Sequence, residues 1–527
     1  MSQQFENQSR RDFLKQSLLA SAAYASAAQP TSTGQAISIR PDWDGKKEPF
    51  RHTWEGLLNI DQFRWMVRRD VQDQLRMAHD ELGGRHVRAV GMFDDEMRVV
   101  AQDPAKWRNQ GDKTHVNWQI VDYVIGSLLN LGINPMYTTT FMPGLMAAGE
   151  RTTFSTKARI SPPKDYKEWR SLVTGGVRHA VELFGRSTVG QWYFEVWNEP
   201  NLMNGFWEGT QADFFRLWAT TYRAIKTVDS SFRVGGPSTA RGEWLRELIE
   251  FGRKNDCSPD YIITHIYNND SDSNPLSPFD GPQEDKVSKS PHFASGLIRG
   301  CRRLLDELGF KGEVHWNEWG RSWYPCYPPR ETASEAAFVV KTMAEVSQLA
   351  DYFAYWCLSD VYDQVGYGAE TFHGNYGLLN LQGLRKPPYH AFQLLGRLDA
   401  QRCRVEGEGL DRMTNAIATT SPTSRHILVY SYVPDSERQP VVSQVQAVLP
   451  AGAERKGVVL FRVSSQENNI LRIWQDMGSP TYLRREQLEQ LKSENTLKPA
   501  RGAVKIQEGI ASFSMESPGV ALLEIEV

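Results

Sequence analysis

Glu199 and Glu318 are the residues whose surroundings most resemble reaction chemistry. Each closes an apolar, aromatic run: Trp192-Tyr193-Phe194-Glu195-Val196-Trp197-Asn198-Glu199-Pro200 and Val314-His315-Trp316-Asn317-Glu318-Trp319-Gly320. A short run of that kind is what a strand buried on both faces looks like. Pro200 has no N–H for a ladder, so the first run should stop there. Two carboxyls at strand ends can divide acid–base work. One, protonated, donates to a leaving oxygen, while the other, ionised, attacks a carbon. The field of one raises the pKa of the other and separates their roles. A lone glutamate at a strand end is commonly an ion-pair partner, and two in matching contexts are a stronger signal. Thr264-His265-Ile266-Tyr267 closes another apolar run, where Tyr267 could hold a carboxylate ionised by hydrogen bonding. Asn198, beside Glu199, could bind a sugar hydroxyl next to the reacting carbon, although Asn before Glu-Pro also suits a turn. Asn198, His265, Tyr267 and Trp356 form the candidate substrate-binding set.

The elements that must position these groups alternate along the chain. Strands are expected near Trp54–Leu58, His86–Met92, Ile133–Phe141, Trp192–Glu199, Phe232–Gly235, Tyr261–Tyr267, Glu313–Trp319 and Tyr352–Leu358. Helices are expected at Trp118–Leu131, Pro163–Phe184, Gln211–Val228, Glu243–Lys254, Ser288–Leu308, Ala333–Leu349 and Pro388–Leu398. Eight strands alternating with helices favour a closed (β/α)8 barrel, whose C-terminal strand ends carry its catalytic groups. Glu199 then ends strand four and Glu318 strand seven. An open doubly wound sheet would normally show a glycine-rich phosphate loop after its first strand, and none is present. Beyond residue 400, His426–Val433, Val441–Leu449, Val458–Val463 and Gly519–Val527 are short alternating runs. They predict an antiparallel β-sandwich with a helical insertion at Arg484–Leu491. The expected organisation is a barrel over 50–398 and an accessory β-sandwich from 31–49 and 399–527.

Bulk properties agree. The chain has 527 residues, enough for a barrel and a second domain. A net charge of −3 gives no electrostatic basis for nucleic-acid binding or for an anionic membrane surface. Aromatics reach 11% with 16 Trp, which suits a large core and also a sugar-binding cleft. The five cysteines, Cys257, Cys301, Cys326, Cys357 and Cys403, show no metal-ligand spacing and read mainly as packing residues, with a disulfide at Cys326 left open. Ser9-Arg10-Arg11-Asp12-Phe13-Leu14-Lys15 matches the twin-arginine export pattern, followed by an alanine-rich run to Ala28 that is too short and weakly apolar to span a bilayer. Residues 1–30 are therefore expected to be a signal peptide handled by the twin-arginine machinery, with no stable membrane insertion after cleavage and a periplasmic or secreted destination.

Taken in order, these motifs resemble glycoside hydrolase family 39, of the (β/α)8 clan with glutamates on strands four and seven. The resemblance runs from Trp192–Leu202 with Phe206-Trp207 through Phe141-Met142-Pro143, Val234-Gly235-Gly236-Pro237, Thr264–Tyr267, Ser359-Asp360, Gly377-Leu378-Leu379, Lys386-Pro387-Pro388-Tyr389 and Trp474–Pro480. It implies Glu199 as general acid/base, Glu318 as nucleophile, His265 and Tyr267 as their partners, and β-xylosidase activity by double displacement without metal or organic cofactor. Departures lie in the sugar pocket. The family's Arg-Phe-His-Gly becomes Arg88-Ala89-Val90-Gly91, its Glu-Leu-Gly becomes Thr138-Thr139-Thr140, and its Phe-Glu-Glu becomes Tyr362-Asp363-Gln364. Losing a hydrogen-bonding partner for a hydroxyl can shift discrimination by powers of ten. The expectation is a retaining glycosidase on an oligosaccharide or glycoside, with xylo-oligosaccharides first. Two alternatives stand beside it: the same chemistry on another β-glycoside or an exopolysaccharide, and a carbohydrate-binding protein with weakened catalysis.

Overall fold

The computed structural model describes residues 34–102, 114–271, 279, 281–362, 364, 368–434, 439–453 and 457–526. The twin-arginine segment and Asp363 lie outside them. The chain divides into two compact units: 54–320 with 349–367, and 1–53 with 321–348 and 368–527. The helices Ala333–Val346 and Pro387–Gly396, which the alternation counts with the barrel, fall in the second of these.

The first unit holds eight parallel strands: β1 (Leu57–Gln62), β2 (His86–Val90), β3 (Asn134–Thr138), β4 (Tyr193–Glu195), β5 (Arg233–Ala240), β6 (Tyr261–Tyr267), β7 (Glu313–Gly320) and β8 (Tyr352–Tyr355). They pair in chain order. Leu358, just past β8, donates its N–H to the Asn59 carbonyl of β1 at 2.8 Å, bringing the first and last strands together. This is a (β/α)8 barrel. Its outer helices are built conventionally. Helix Tyr166–Phe184 starts where the Asp165 side chain accepts from the Lys167 N–H at 2.6 Å, three residues after the Pro163 start expected from proline placement. Its buried face runs Trp169, Leu172, Val173, Gly176, Val177, Ala180, and Gly185 ends it at φ 86°. Each fully buried Leu or Val on such a face contributes about 1.5–3 kcal/mol.

Several strand boundaries differ from the sequence reading: β2, β3 and β8 end at Val90, Thr138 and Tyr355, short of the expected Met92, Phe141 and Leu358, and β4, β5 and β1 differ as well. The ladder of β4 ends at Glu195, not at Glu199. Val196 still donates to the Gly235 carbonyl at 3.2 Å, but Trp197 and Glu199 take left-handed φ values of 66° and 44°. Strand β5 continues through Gly236-Pro237 to Ala240 instead of stopping there. Its register on β6 slips between Pro237 and Thr239, so the proline, which has no N–H to give, sits at a bulge. Strand β1 starts three residues later than expected and runs to Gln62.

The second unit contains two sheets. One runs Val405–Glu406, Ile37–Pro41, Val441–Val448, Ile510–Ser517, Lys505–Gln507. The other runs Glu48–Pro49, Gln401–Cys403, Thr414–Thr420, Ser424–Ser431, Gly519–Glu526, Val458–Val463. Residues from both, including Ile39, Val445, Phe513, Ile427 and Leu523, share one apolar core, which makes this the accessory β-sandwich. It is not wholly antiparallel. Ile37–Pro41 pairs parallel with Val441–Val448, which is open to a strand so distant in sequence that no hairpin fixes its direction. Two helices, Ile470–Asp476 and Arg485–Glu494, replace the single expected insertion. Among the described residues no helix is long and apolar enough to cross a membrane. Cys257, Cys301, Cys357 and Cys403 are buried and Cys326 is exposed.

Candidate active site

The barrel interior is layered. At its lower end Leu57, Met136, Tyr193, Tyr261, Ile263 and Ala354 pack together. The His315 ring lies 4.8 Å from that of Tyr193 and 4.7 Å from that of Tyr261. Two residues further along β4, on the same face, Glu195 replaces the aromatic with a fully buried carboxylate. A charge there must be paired. Arg88 of β2, equally buried, supplies the pair, with Nε 3.2 Å and Nη2 3.1 Å from the two Glu195 oxygens. Asn317 Nδ2 donates to Glu195 Oε2 at 3.0 Å, and Ser238 Oγ donates to Oε1.

Glu318 reaches the cleft through a bulge. Along β7, Thr264 pairs with Trp316 and His265 with Glu318, leaving Asn317 as the extra residue. Strict alternation would send Asn317 inward and Glu318 outward. The bulge re-aims Glu318 so that both face the interior. Its Oε1 accepts from Tyr267 Oη at 2.7 Å and its Oε2 from Arg88 Nη1 at 2.9 Å. Glu199 arrives differently. Its left-handed backbone is held by donation from its N–H to the Ser238 carbonyl at 2.7 Å, and its Oε1 lies 3.0 Å from His265 Nδ1. His265 Nδ1 is also 3.6 Å from Glu318 Oε2.

The electrostatics separate these groups. Burial raises Glu199 to about 7, against the opposing fields of Arg88 and Arg241. Burial also raises Glu318, which His265 opposes and Glu199 reinforces, while Arg88 and Tyr267 pull it down. Burial acts on Glu195 too, but Arg88 outweighs it and holds that carboxyl below its usual range. His265 is pushed down to about 4 by burial, so its ring is neutral at neutral pH. Asp270, beyond β6, is raised to about 7 by burial, and its Oδ2 accepts from the Tyr267 N–H at 2.8 Å.

Glu199, His265 and Glu318 each present one donor atom, all within 4.8 Å of one another. A cation could in principle use them. Arg88 already supplies the counter-charge on Glu318, however, and would repel a metal ion at that distance.

The structure thus brings Glu199, Glu318, Asn198, His265 and Tyr267 together, with Asn198 Oδ1 accepting from Arg88 Nη2. Trp356 stands outside this hydrogen-bonded cluster. It is buried just past β8, its backbone N–H donates to the Trp319 carbonyl at 2.9 Å, and its ring lies edge-on to Tyr362. Of the pocket positions, Val90 is buried on β2 and Thr138 Oγ1 lies 3.4 Å from Glu195. Gln364 donates to Asp61 Oδ1 at 2.6 Å and accepts from Tyr362 at 3.0 Å. Arg88, Glu195, Ser238, Asn317 and Asp270 were not among the sequence candidates. Two of them left a signal: an arginine inside His86-Val87-Arg88-Ala89-Val90 and a glutamate inside Tyr193-Phe194-Glu195 are charges in strands buried on both faces, which require each other.

Known proteins are similar to this chain in sequence and in fold. A β-xylosidase of Caldicellulosiruptor saccharolyticus is 35% identical over 434 residues, spanning 82% of this chain and 86% of that one. A β-xylosidase of Geobacillus stearothermophilus is 27% identical over 487 residues, spanning 91% and 94%. The solved structure of a family 39 β-xylosidase from Caulobacter crescentus superposes with a TM-score of 0.77 at 28% identity, covering 94% of this chain and all of that one. Residues 36–508 match the model of glycosyl hydrolases family 39, and the chain belongs to that family of glycoside hydrolases.

Proposed function

We propose that this glycoside hydrolase is a β-xylosidase that works by double displacement, with Glu318 as nucleophile and Glu199 as acid and then base. The observation that carries the mechanism is the approach of a Glu199 oxygen and a Glu318 oxygen to within 4.8 Å. Inverting enzymes separate their carboxyls by roughly 6.5–9.5 Å to seat a water, whereas retaining ones hold them about 5–5.5 Å apart. Protonated Glu199, with its pKa about 7, gives its proton to the leaving oxygen as the Glu318 carboxylate bonds to the anomeric carbon and the glycosidic bond breaks. Glu199, now ionised, takes a proton from water. That water attacks the same carbon and frees Glu318. Tyr267 and Arg88 suit Glu318 to remain an anion between turnovers. Neutral His265, 3.0 Å from Glu199, can exchange a hydrogen bond with it in either protonation state.

The choice of xylose is supported by the two β-xylosidase relatives, which span most of this chain. A second reading keeps the mechanism and changes the sugar to another β-glycoside or an exopolysaccharide. Val90 favours it, because an apolar side chain offers no hydrogen bond to a hydroxyl, and so does Gln364, both of whose polar ends are engaged within the protein. A panel of 4-nitrophenyl glycosides and oligosaccharides separates the two, with the anomeric form of the first product followed by proton NMR. Turnover of the β-xyloside with retained configuration is expected. An inverted product overturns the mechanism, and activity on another glycoside alone overturns the sugar. Sugar binding with no hydrolysis of any substrate would instead mark a binding protein. We also propose export by the twin-arginine route on the strength of Ser9–Lys15. Retention in the cytoplasm of a chain with Arg10 and Arg11 both changed to Lys, while the native chain is exported, is the expected result.

A further inference from the structure

We propose that Glu195 is a positioning residue that sets the charge felt by the nucleophile, by dividing the Arg88 guanidinium between two carboxylates. This rests on Glu318 being the nucleophile. Arg88 is fully buried and donates in two directions: Nε and Nη2 to Glu195 at 3.2 and 3.1 Å, and Nη1 to Glu318 at 2.9 Å. Glu195 lies below the reacting pair and is fully buried, and its hydrogen bonds run to Arg88, Asn317, Ser238 and Thr138. It therefore acts through Arg88, not on a substrate.

A guanidinium that faced Glu318 alone would form an undivided ion pair with it. Such a pair makes a carboxylate a weaker base and a weaker nucleophile, because its lone pair is stabilised before the attack but less so once the ester forms. Glu195 neutralises Arg88 from the other side, so Glu318 stays ionised without being quenched. The same arrangement fixes geometry. The planar fork locks the guanidinium against β4, and Asn317, the bulge residue beside Glu318, is tied to the same Glu195 oxygen. A third buried carboxylate so close to two others would be hard to justify on stability alone, since an apolar replacement commonly serves as well.

The groups that face Glu318 are Arg88 on β2, Glu199 beyond β4, and His265 and Tyr267 on β6, with Asp270 beyond β6 and Glu195 on β4 acting at longer range. Only Glu195 is altered in Glu195→Gln, which keeps size and one acceptor oxygen, exchanges the other for an amide NH2, and removes one negative charge. The acidic limb of kcat/KM then moves to lower pH, because Glu318 faces an undivided cation. For 4-nitrophenyl β-xyloside, or the aryl glycoside that the wild type cleaves if that one fails, kcat falls at least about tenfold with KM within about threefold. Glu195→Asp retains the charge and should keep the limb where the wild type has it, even where turnover drops. Should Glu195→Gln not fold, Ser238→Ala provides the opposite sign: without that donor Glu195 commits more of its charge to Arg88, and the limb rises. Loss of activity in Glu195→Gln with an unmoved limb, or a limb in Ser238→Ala that stays or falls, overturns the proposal and leaves Glu195 a structural residue. Labelling of Glu318 in the wild type by a 2-fluoro glycoside, read by peptide mass, tests the underlying assignment separately.

Discussion

Replacing Tyr267 with Phe removes a single oxygen whose contribution can be worked through. That oxygen donates to Glu318 Oε1 at 2.7 Å in a site where Glu318 is only 7% exposed, so water does not readily take its place. A hydrogen bond to a charged acceptor is worth about 1.5–3 kcal/mol. The stabilised form is the carboxylate, so losing the donor raises the Glu318 pKa, by about 1–2 units at 1.36 kcal/mol per unit. In the proposed double displacement, hydrolysis needs Glu318 ionised. Its acidic limb should therefore move up in pH by that amount, and kcat/KM on the acid side should fall about 10–100-fold, with a smaller deficit near the optimum. The assay is kcat/KM for an aryl glycoside from pH 4 to 9, beside thermal melts that confirm folding. The ring itself stays: Tyr267 is fixed by its N–H to Asp270, and Phe preserves that bond. A uniform loss of activity with an unshifted limb would mean that Tyr267 acts on substrate alone, and a downward shift would reverse the sign of the argument.

Three further outcomes follow from the same site. With Glu199 at about 7, the basic limb of kcat/KM should fall near that pH as the acid loses its proton, and Glu199→Ala should lose about 10²–10⁴-fold on poor leaving groups, less on activated ones, with azide restoring turnover as a β-glycosyl azide. The same raised pKa costs stability. A folded value above the unfolded one means that stability declines as pH rises from about 4.5 through about 7, so Glu199→Gln should melt higher than wild type at pH 8 and match it near pH 4, by an amount on the order of a few kcal/mol; equal melting at both would refute the burial argument. Gly235→Ala would place a Cβ 2.3 Å from Tyr261 Cζ, in a ring held by donation from its hydroxyl to the Phe194 carbonyl at 2.9 Å, and should destabilise the barrel by about 1–3 kcal/mol in chemical denaturation.

What the sequence revealed, and what it concealed, divides along a physical line. Alternation of apolar runs with amphipathic segments reports burial, and burial is what a barrel strand or an outer helix is made of; the eight strands were therefore legible. The carboxylates were legible for the same reason, since a glutamate closing an aromatic run is improbable on burial grounds alone. Strand ends were less so. Trp192–Glu199 reads as one strand because its residues are buried throughout, yet the ladder ends at Glu195 and the remainder turns through left-handed φ values that no pattern of side chains announces. The bulge at Asn317 is equally silent: it changes which face Glu318 occupies without changing any residue type. Arg88 is a charge inside an apolar strand, a signal that the departure at its neighbour Val90 does not use. The better rule treats any charge inside a doubly buried strand as half of a pair whose partner must be sought on other strands. Applied to Arg88 it leaves Asp61, Glu195 and Glu318 as candidate partners, and the structure pairs the guanidinium with the last two, for both of which it has donors. Glu318 is thus reached from the interior of the barrel, through charge pairing, as well as from its place at the end of an aromatic strand.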